Sequence, residues 1–257
     1  MKPYCDDGGV TIYHGDCREV LPAIDAASVD LVWTDPPYGH NNNNNGDLAH
    51  RREAALGLRD TTEADARPIA NDGPEANELV RWTFGEYARL LKPGCCCCCC
   101  CGGGGGGPDP QFARWSLWLD EHLEFKQAVV WRKPGMGMGW HYRRDYELVL
   151  VAQKGGAACK WNGGNAQSNV IETPGFSRGG NDMHPTPKPL SLPALFIEIH
   201  TDGGDLVLDP FMGSGTTLVA ARQLGRRAIG IEIEERYCEV AAKRLAQAAL
   251  PLWGEVT

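Results

Sequence analysis

Leu206-Val207-Leu208-Asp209-Pro210-Phe211-Met212-Gly213-Ser214-Gly215-Thr216-Thr217 reads as a buried strand ending on a carboxylate, a glycine turn and the start of a helix. Gly213 and Gly215 permit positive φ and a close backbone approach of a ligand to the helix N-terminus. The pattern continues on both sides: a helix over 190–200, this strand over 205–209, a helix over 216–224, a strand over 227–232 and a helix over 234–248. Alternation of this kind implies a parallel sheet with right-handed crossovers. The turn is not a P-loop, because no Lys follows its second glycine, and it lacks the third glycine of the dinucleotide fingerprint. Glu232 closes the next strand, 17 positions after Gly215 (232 − 215), near the ~20 expected of an acid that binds ribose hydroxyls. An adenosine-bearing ligand without a pyrophosphate fits this spacing better than a dinucleotide.

The second informative stretch is Val29-Asp30-Leu31-Val32-Trp33-Thr34-Asp35-Pro36-Pro37-Tyr38. A β-branched and aromatic run that stops at a Pro pair reads as a buried strand delivering its last carboxylate to the carboxyl edge of the sheet, where open α/β sheets bind ligands. The exocyclic amino group of a nucleobase is a poor nucleophile because its lone pair is delocalised into the ring. A fixed carboxylate accepting one N–H, with a main-chain carbonyl accepting the other, draws the nitrogen toward tetrahedral geometry and aims its lone pair at an electrophile. Asp35 supplies the carboxylate and Pro36 the carbonyl. Pro36 and Pro37 fix φ and restrict the residues before them, so both acceptors are in place before a substrate arrives. Tyr38 offers a ring face for the base, a contact worth roughly 1–3 kcal/mol and indifferent to base identity. Taken alone, these four residues also fit a plain strand end, turn and surface Tyr.

At 257 residues the chain suits one sizeable α/β domain. With 42% hydrophobic and 23% charged residues it has the composition of an ordinary soluble protein. No run approaches a membrane span, the N-terminus lacks the apolar core of a signal peptide, and a cytoplasmic location is expected. The net charge of −8 excludes a generally basic nucleic-acid binder but leaves room for local contacts, with basic pairs at Arg51-Arg52, Arg132-Lys133, Arg143-Arg144 and Arg226-Arg227. Seven of the eleven cysteines form one run, Cys95 to Cys101. Neighbouring strand residues point to opposite faces, so a run cannot wrap its thiolates around one tetrahedral metal, and no distant CxxC pairs are present. The run reads as a strand of small, buried, apolar-behaving side chains in a reducing compartment, and no metal site is expected.

Between these landmarks the reading is coarser. A strand over 11–14 ends at Gly15-Asp16, where Asp16 caps the next helix or meets a ligand. From 39 to 74 no period is sustained, through Asn41 to Asn45 and a charged stretch, so a long mobile loop on the catalytic edge is expected. A helix over 77–91 stops at Lys92-Pro93-Gly94, the Cys run supplies a strand, and a helix over 112–122 precedes strands over 124–132 and 145–153. Residues 154–183, rich in Gly, Asn and Ser, are the natural segment for reading a target. Lys188, in His184-Pro185-Thr186-Pro187-Lys188-Pro189, precedes a helix and could hold an anionic group such as an amino-acid carboxylate.

Together these residues resemble the β class of amino-group DNA methyltransferases that use S-adenosylmethionine. Asp35-Pro36-Pro37-Tyr38 matches that family's catalytic motif, Phe211-Met212-Gly213-Ser214-Gly215 its cofactor motif, and 184–189 the segment before it; the order, catalytic motif first, separates this class from the others. The resemblance spans about 13–245. It implies a circularly permuted Rossmann-like methyltransferase α/β fold, with a mostly parallel central sheet and helices on both faces. A single catalytic domain would then fill 1–257, carrying the loop at 39–74 and a small target-recognition insert at 154–183. It implies that Asp35, Pro36, Pro37 and Tyr38 hold a flipped base, and that Asp209, Phe211, Gly213, Gly215, Thr216 and Thr217 cradle S-adenosylmethionine. Glu232 would then take the ribose, Lys188 with Thr186 the carboxylate end, and Asp16 lie near the adenine. Methyl transfer by direct displacement needs no cysteine nucleophile, and none stands near Tyr38. In the family Asp at the first motif position leans toward adenine N6 and Ser toward cytosine N4, so adenine N6 in DNA is the expected target and cytosine N4 the alternative. RNA, a non-catalytic cofactor-dependent nucleic-acid binder and a metal protein built on the Cys run are the competing readings. Double-stranded DNA is the expected partner; a homodimer is compatible with the reading, and the sequence identifies no companion restriction nuclease.

Overall fold

The computed structural model describes residues 2–39, 70–73, 75–101, 111–133, 145–173 and 188–248. In chain order the elements are β1 (Cys5–Asp6), β2 (Val10–His14), α1 (Cys17–Val20) running into a 3-10 turn (Leu21–Ala23), β3 (Val29–Thr34), α2 (Ala76–Leu90), β4 (Leu91–Cys101) and α3 (Gln111–Asp120). They continue with β5 (Glu124–Arg132), β6 (Tyr146–Gln153), β7 (Val170–Glu172), α4 (Ser191–His200), β8 (Leu206–Asp209), α5 (Thr216–Gln223), β9 (Arg227–Glu232) and α6 (Glu235–Ala248). Among the described residues no helix is long and apolar enough to cross a membrane.

The apolar run of β3 is buried at every position, as a strand covered on both faces must be. It lies at the middle of a nine-stranded sheet of order β1-β2-β9-β8-β3-β4-β6-β5-β7. Strands β2, β9, β8, β3 and β4 run parallel, while β6 is antiparallel to β4 and to β5. From β3 the chain proceeds to β4 on one side, and from β8 to β9 on the other. The order therefore reverses between β3 and β8, which is where an open α/β sheet leaves a crevice at the strand ends. Asp35 follows one of these strands and Asp209 ends the other.

Helices cover both faces. One core cluster joins Trp33, Cys96, Cys98 and Cys100 to Leu192 and Phe196 of α4, Leu218 of α5 and Ala241 of α6. The other joins Val32, Cys97, Cys99 and Cys101 to Phe84 and Tyr87 of α2 and Trp115 of α3. The cysteine run thus alternates between faces, and the bulk that its small side chains lack comes from aromatic partners such as Trp33 and Phe196, whose rings lie 4.8 Å apart.

One expectation needs correction. The helix stops where expected, but the strand begins before the Cys run: α2 ends at Leu90 and passes directly into β4 at Leu91, whose pairing jumps from Val29↔Leu91 to Leu31↔Cys96. The strand absorbs Pro93, which has no N–H to donate, and Gly94, at φ +86°, as a bulge. Within 154–183, Val170–Glu172 adds a short strand parallel to β5. Most of the expected loop at 39–74, with Asn41 to Asn45, lies outside the described residues.

Candidate active site

At the end of β3 the chain turns through Pro36 and Pro37, and Tyr38 folds back so that its hydroxyl donates to Asp35 Oδ1. The turn is held from outside by Gln111 Nε2, which donates to the Tyr38 carbonyl at 2.7 Å, and by Asp72, which accepts from the Gly39 N–H at 2.7 Å. Asp35 Oδ2 lies 2.9 Å from Lys188 Nζ, whose other carboxylate partner is Glu147 Oε2 at 3.0 Å. Glu147 also pairs with Lys133 at 3.1 Å. These groups form a chain of alternating charge, Asp35–Lys188–Glu147–Lys133, and the Lys188 side chain is only 13% exposed.

Burial of this kind disfavours every charge in it. For Lys188 burial pulls the ammonium toward neutrality, but the carboxylates of Asp35 and Glu147 outweigh it and hold the proton firmly. Burial likewise works against the Glu147 carboxylate, and the two lysines more than offset it, leaving its carboxyl below the usual range. Burial, reinforced by Asp35, raises Tyr38 well above an ordinary phenol, so it stays a donor. Lys188 Nζ also stands 5.6 Å from the centre of the Tyr38 ring, and Trp115 packs against that ring at 6.0 Å between centroids.

Across the switch point, Asp209 Oδ1 accepts from the Phe211 N–H at 3.1 Å and Oδ2 from the Thr217 hydroxyl at 2.5 Å. Burial pushes its carboxyl up to about 7 against these two hydrogen bonds. The glycine turn is tied to β9: Met212 N–H donates to the Ile231 carbonyl, and Gly213 N–H donates to Glu232 Oε2, each at 3.0 Å. Glu232 Oε1 accepts from the Glu234 N–H at 2.8 Å. Each Glu232 oxygen therefore carries one backbone bond and keeps a further lone pair for a hydroxyl. Gly215 caps α5 at φ +80°, and a Cβ on it would sit 2.7 Å from the Cβ of Ala241; only glycine meets both demands.

A family model described as DNA methylase matches residues 29–243 of this chain, which spans both strand ends. The chain belongs to the N6/N4 DNA methylase family. This methylase is 32% identical to YubD of Escherichia coli (strain K12) over 235 residues, 90% of this chain and 88% of the relative. Among solved structures, TTHA0409 of Thermus thermophilus complexed with S-adenosyl-L-methionine is 25% identical, with a TM-score of 0.65, covering 92% of this chain and 93% of that one. The cytosine-N4-specific PvuII DNA methyltransferase shares the fold at a TM-score of 0.72 over 95% of this chain and 89% of that one, at 21% identity.

In the methylase the expected site residues fall into two groups at one sheet edge. Asp35, Pro36, Pro37, Tyr38 and Lys188 gather after β3, and Asp209, Phe211, Gly213, Gly215, Thr216, Thr217 and Glu232 gather after β8 and β9. Thr186 lies outside the described residues. Asp16 comes to the same edge, because the Gly15 N–H donates to the Glu232 carbonyl at 2.9 Å, and its carboxylate caps α1 through the Arg18 N–H and pairs with the Arg18 side chain at 2.5 Å. That local bond to Arg18 holds the Asp16 carboxyl below the ordinary range.

Three residues escaped the sequence reading. Glu147 is the second residue of β6, an acid just before an apolar run, and only the fold reveals that it faces Lys188. Gln111 reads as an ordinary polar helix start, yet it clamps Tyr38. Arg244, in the last helix, donates to the Ser214 carbonyl at 2.7 Å and lies 3.2 Å from Thr216 Oγ1. It braces the glycine turn from behind, so the Thr216 hydroxyl is engaged by protein.

Proposed function

We propose that this methylase transfers the methyl group of S-adenosylmethionine to the exocyclic N6 amino group of an adenine flipped out of double-stranded DNA, as a cytoplasmic enzyme. The observation that carries the reading is the placement of Asp35 and Asp209 at neighbouring strand ends across the switch point, one beside a rigid Pro-Pro turn and the other beside a glycine turn. The donor set fits the cofactor: Glu232 has spare acceptor capacity for a ribose diol, and Gly213 and Gly215 carry no side chains that would block approach to the turn. TTHA0409, a structural neighbour, is a complex with S-adenosyl-L-methionine. When bound, the sulfonium supplies an electrophilic methyl carbon.

The chain's own residues then prepare the nucleophile. Asp35 accepts one amino N–H and the Pro36 carbonyl the other, which leaves the nitrogen lone pair free to face the methyl carbon. After transfer the nitrogen sheds one proton to Asp35 and thence to solvent, while the C–S electron pair leaves with the sulfur. Each Asp35 oxygen has one partner here, Tyr38 on Oδ1 and Lys188 on Oδ2, and keeps a further lone pair for the incoming amino N–H. A cofactor carboxylate competing for Lys188 would free Oδ2 further, coupling cofactor binding to readiness for the base. Flipping costs a few kcal/mol of unstacking, offset in part by contact with Tyr38. The basic pair Arg51-Arg52, open to local contact with DNA, lies outside the described residues.

The test is to incubate the protein with S-adenosylmethionine and unmethylated DNA, digest to nucleosides and identify the product by mass spectrometry. N6-methyladenine supports the proposal. N4-methylcytosine keeps the mechanism and replaces the base; no methylated base, despite cofactor binding, overturns it in favour of a non-catalytic binder.

A further inference from the structure

The spacing of the cysteines argues against a metal within the run, but the fold brings one of them to two ligands from elsewhere. Cys96 of β4, Cys159 of the segment after β6 and His200 at the end of α4 place two thiol sulfurs and a ring nitrogen within 4.8 Å of one another. The two Sγ atoms are 3.3 Å apart. His200 is 6% exposed, and its buried Nδ1 has no hydrogen-bond partner, an arrangement that costs about 1–3 kcal/mol unless something binds there. From this geometry we infer that Cys96, Cys159 and His200 bind a thiophilic d10 cation, zinc first among them, away from the strand ends that carry the methylation chemistry.

Three observations beyond the cluster itself support the site. The ligands are held in place before any ion arrives. Asn162 fastens the Cys159 segment to the end of α4, through its N–H to the Ile199 carbonyl at 2.8 Å and its side chain to the Thr201 carbonyl at 2.8 Å. Lys160, next to Cys159, pairs with Asp202 at 2.9 Å and Asp205 at 2.7 Å. The ring of His200 is fixed between Trp161 and Phe196.

The charge also balances. Two thiolates, a neutral imidazole and a divalent ion sum to zero, so the centre can sit beside a buried strand without a bare charge. Binding releases the two thiol protons. Tetrahedral zinc with bonds of about 2.3 Å to sulfur and 2.0–2.1 Å to nitrogen sets its ligand atoms roughly 3.5–3.8 Å apart; the sulfurs, at 3.3 Å, are near that spacing, and a separation at the 4.8 Å limit would close by about 1 Å. Three protein ligands leave the fourth position of a tetrahedral ion to water, the pattern of a three-ligand zinc site. Such an ion would staple the segment proposed to read DNA onto the body of the sheet.

The full chain, purified without a histidine tag and kept reduced, is stripped with chelator and titrated with Co2+ and then Zn2+. The expected result is roughly one equivalent bound, with the visible and near-ultraviolet bands of Co2+ on two thiolates, displaced by Zn2+. Cys159→Ser, at the surface and safe for folding, should lose at least about tenfold in occupancy, His200→Asn should weaken binding and shift the bands, and Cys5→Ser should change neither. Failure of the reduced wild-type chain to bind either ion, binding that survives Cys159→Ser, or recovery of Cys96 and Cys159 as a metal-free disulfide under the same conditions would each overturn the assignment.

Discussion

The Asp35 carboxylate is held on both oxygens, and its neighbours show what each substitution should cost. Asp35→Ala removes the acceptor proposed to shape the amino nitrogen and should lower methyl transfer by roughly 10²–10³-fold or more, with cofactor affinity changed little; single-turnover assays alongside cofactor titration separate the two. Glu147→Leu leaves Lys188 with Asp35 alone and removes the carboxylate that Lys133 pairs with. Breaking a buried pair in this way costs on the order of 3–5 kcal/mol, and the double variant Glu147→Leu/Lys133→Leu should recover part of it in urea unfolding. Asp209 makes a pH prediction. Its folded carboxyl, pushed up to about 7 by burial, lies above the ~3.9 of an unfolded Asp. Its contribution to stability is therefore fully present below the unfolded value and lost as pH rises through 7. Asp209→Asn, which mimics the protonated acid, should remove up to ~1.4 kcal/mol per pH unit of decline over that window, read as the wild-type minus variant difference in cofactor-free protein. Glu147 runs the other way: its lowered carboxyl gives stability present above the unfolded value and lost in acid. The difference measurement is needed to separate them. At this scale the sequence revealed the residues at strand ends, because Asp-Pro-Pro-Tyr and the glycine turn are local patterns. Glu147 was hidden because its meaning comes from a lysine that is 41 positions away in the chain (188 − 147) and adjacent only in the fold.

Among the elements, the glycine turn between β8 and α5 carries the tightest constraint. Gly215 has a left-handed backbone and no room beside Ala241 of α6, so Gly215→Ala should cost about 1–3 kcal/mol from the conformation alone, with the clash added. Cofactor affinity should fall with it, because moving α6 also moves Arg244, which braces Ser214. Calorimetric binding and thermal unfolding measured on one preparation would show both losses together. The regular alternation of the last third made β8, α5, β9 and α6 legible to within a residue or two. The ends of α2 were legible to within one residue, but the start of β4 was not, because Lys92-Pro93-Gly94 carries a strong local stop signal that tertiary pairing with β3 overrides through a bulge. Strand β7 was invisible for the opposite reason: a three-residue edge strand inside a polar segment is created by its neighbour β5 and has almost no signal of its own.

For the whole molecule, the order of the motifs along the chain decided the architecture. The strand leading to Asp-Pro-Pro-Tyr precedes the strand leading to the glycine turn in sequence, yet β3 and β8 pair side by side, and only a sheet whose order reverses between them brings both carboxylates to one crevice. The cysteine run then tests how well that sheet is packed. Eight of the eleven cysteines are buried, Cys5 and Cys95 are half-buried, and Cys159 is exposed. Burial pushes Cys17, Cys101 and Cys238 up to about 12 and the interior of the run higher still, and it is the thiolate that reacts. In chelator-treated native protein, a bulky aromatic disulfide reagent should therefore modify Cys159 rapidly, Cys5 and Cys95 slowly, and the remaining eight only as fast as the protein unfolds. If both faces of β4 are sealed as the two core clusters require, those eight should appear in a single cooperative phase whose rate rises with urea together with the loss of far-ultraviolet dichroism. Early release of Cys101 or Cys100 alone would mean that the catalytic end of the strand opens locally, and release of the whole run before global unfolding would mean that so many small side chains leave the centre of the sheet under-packed.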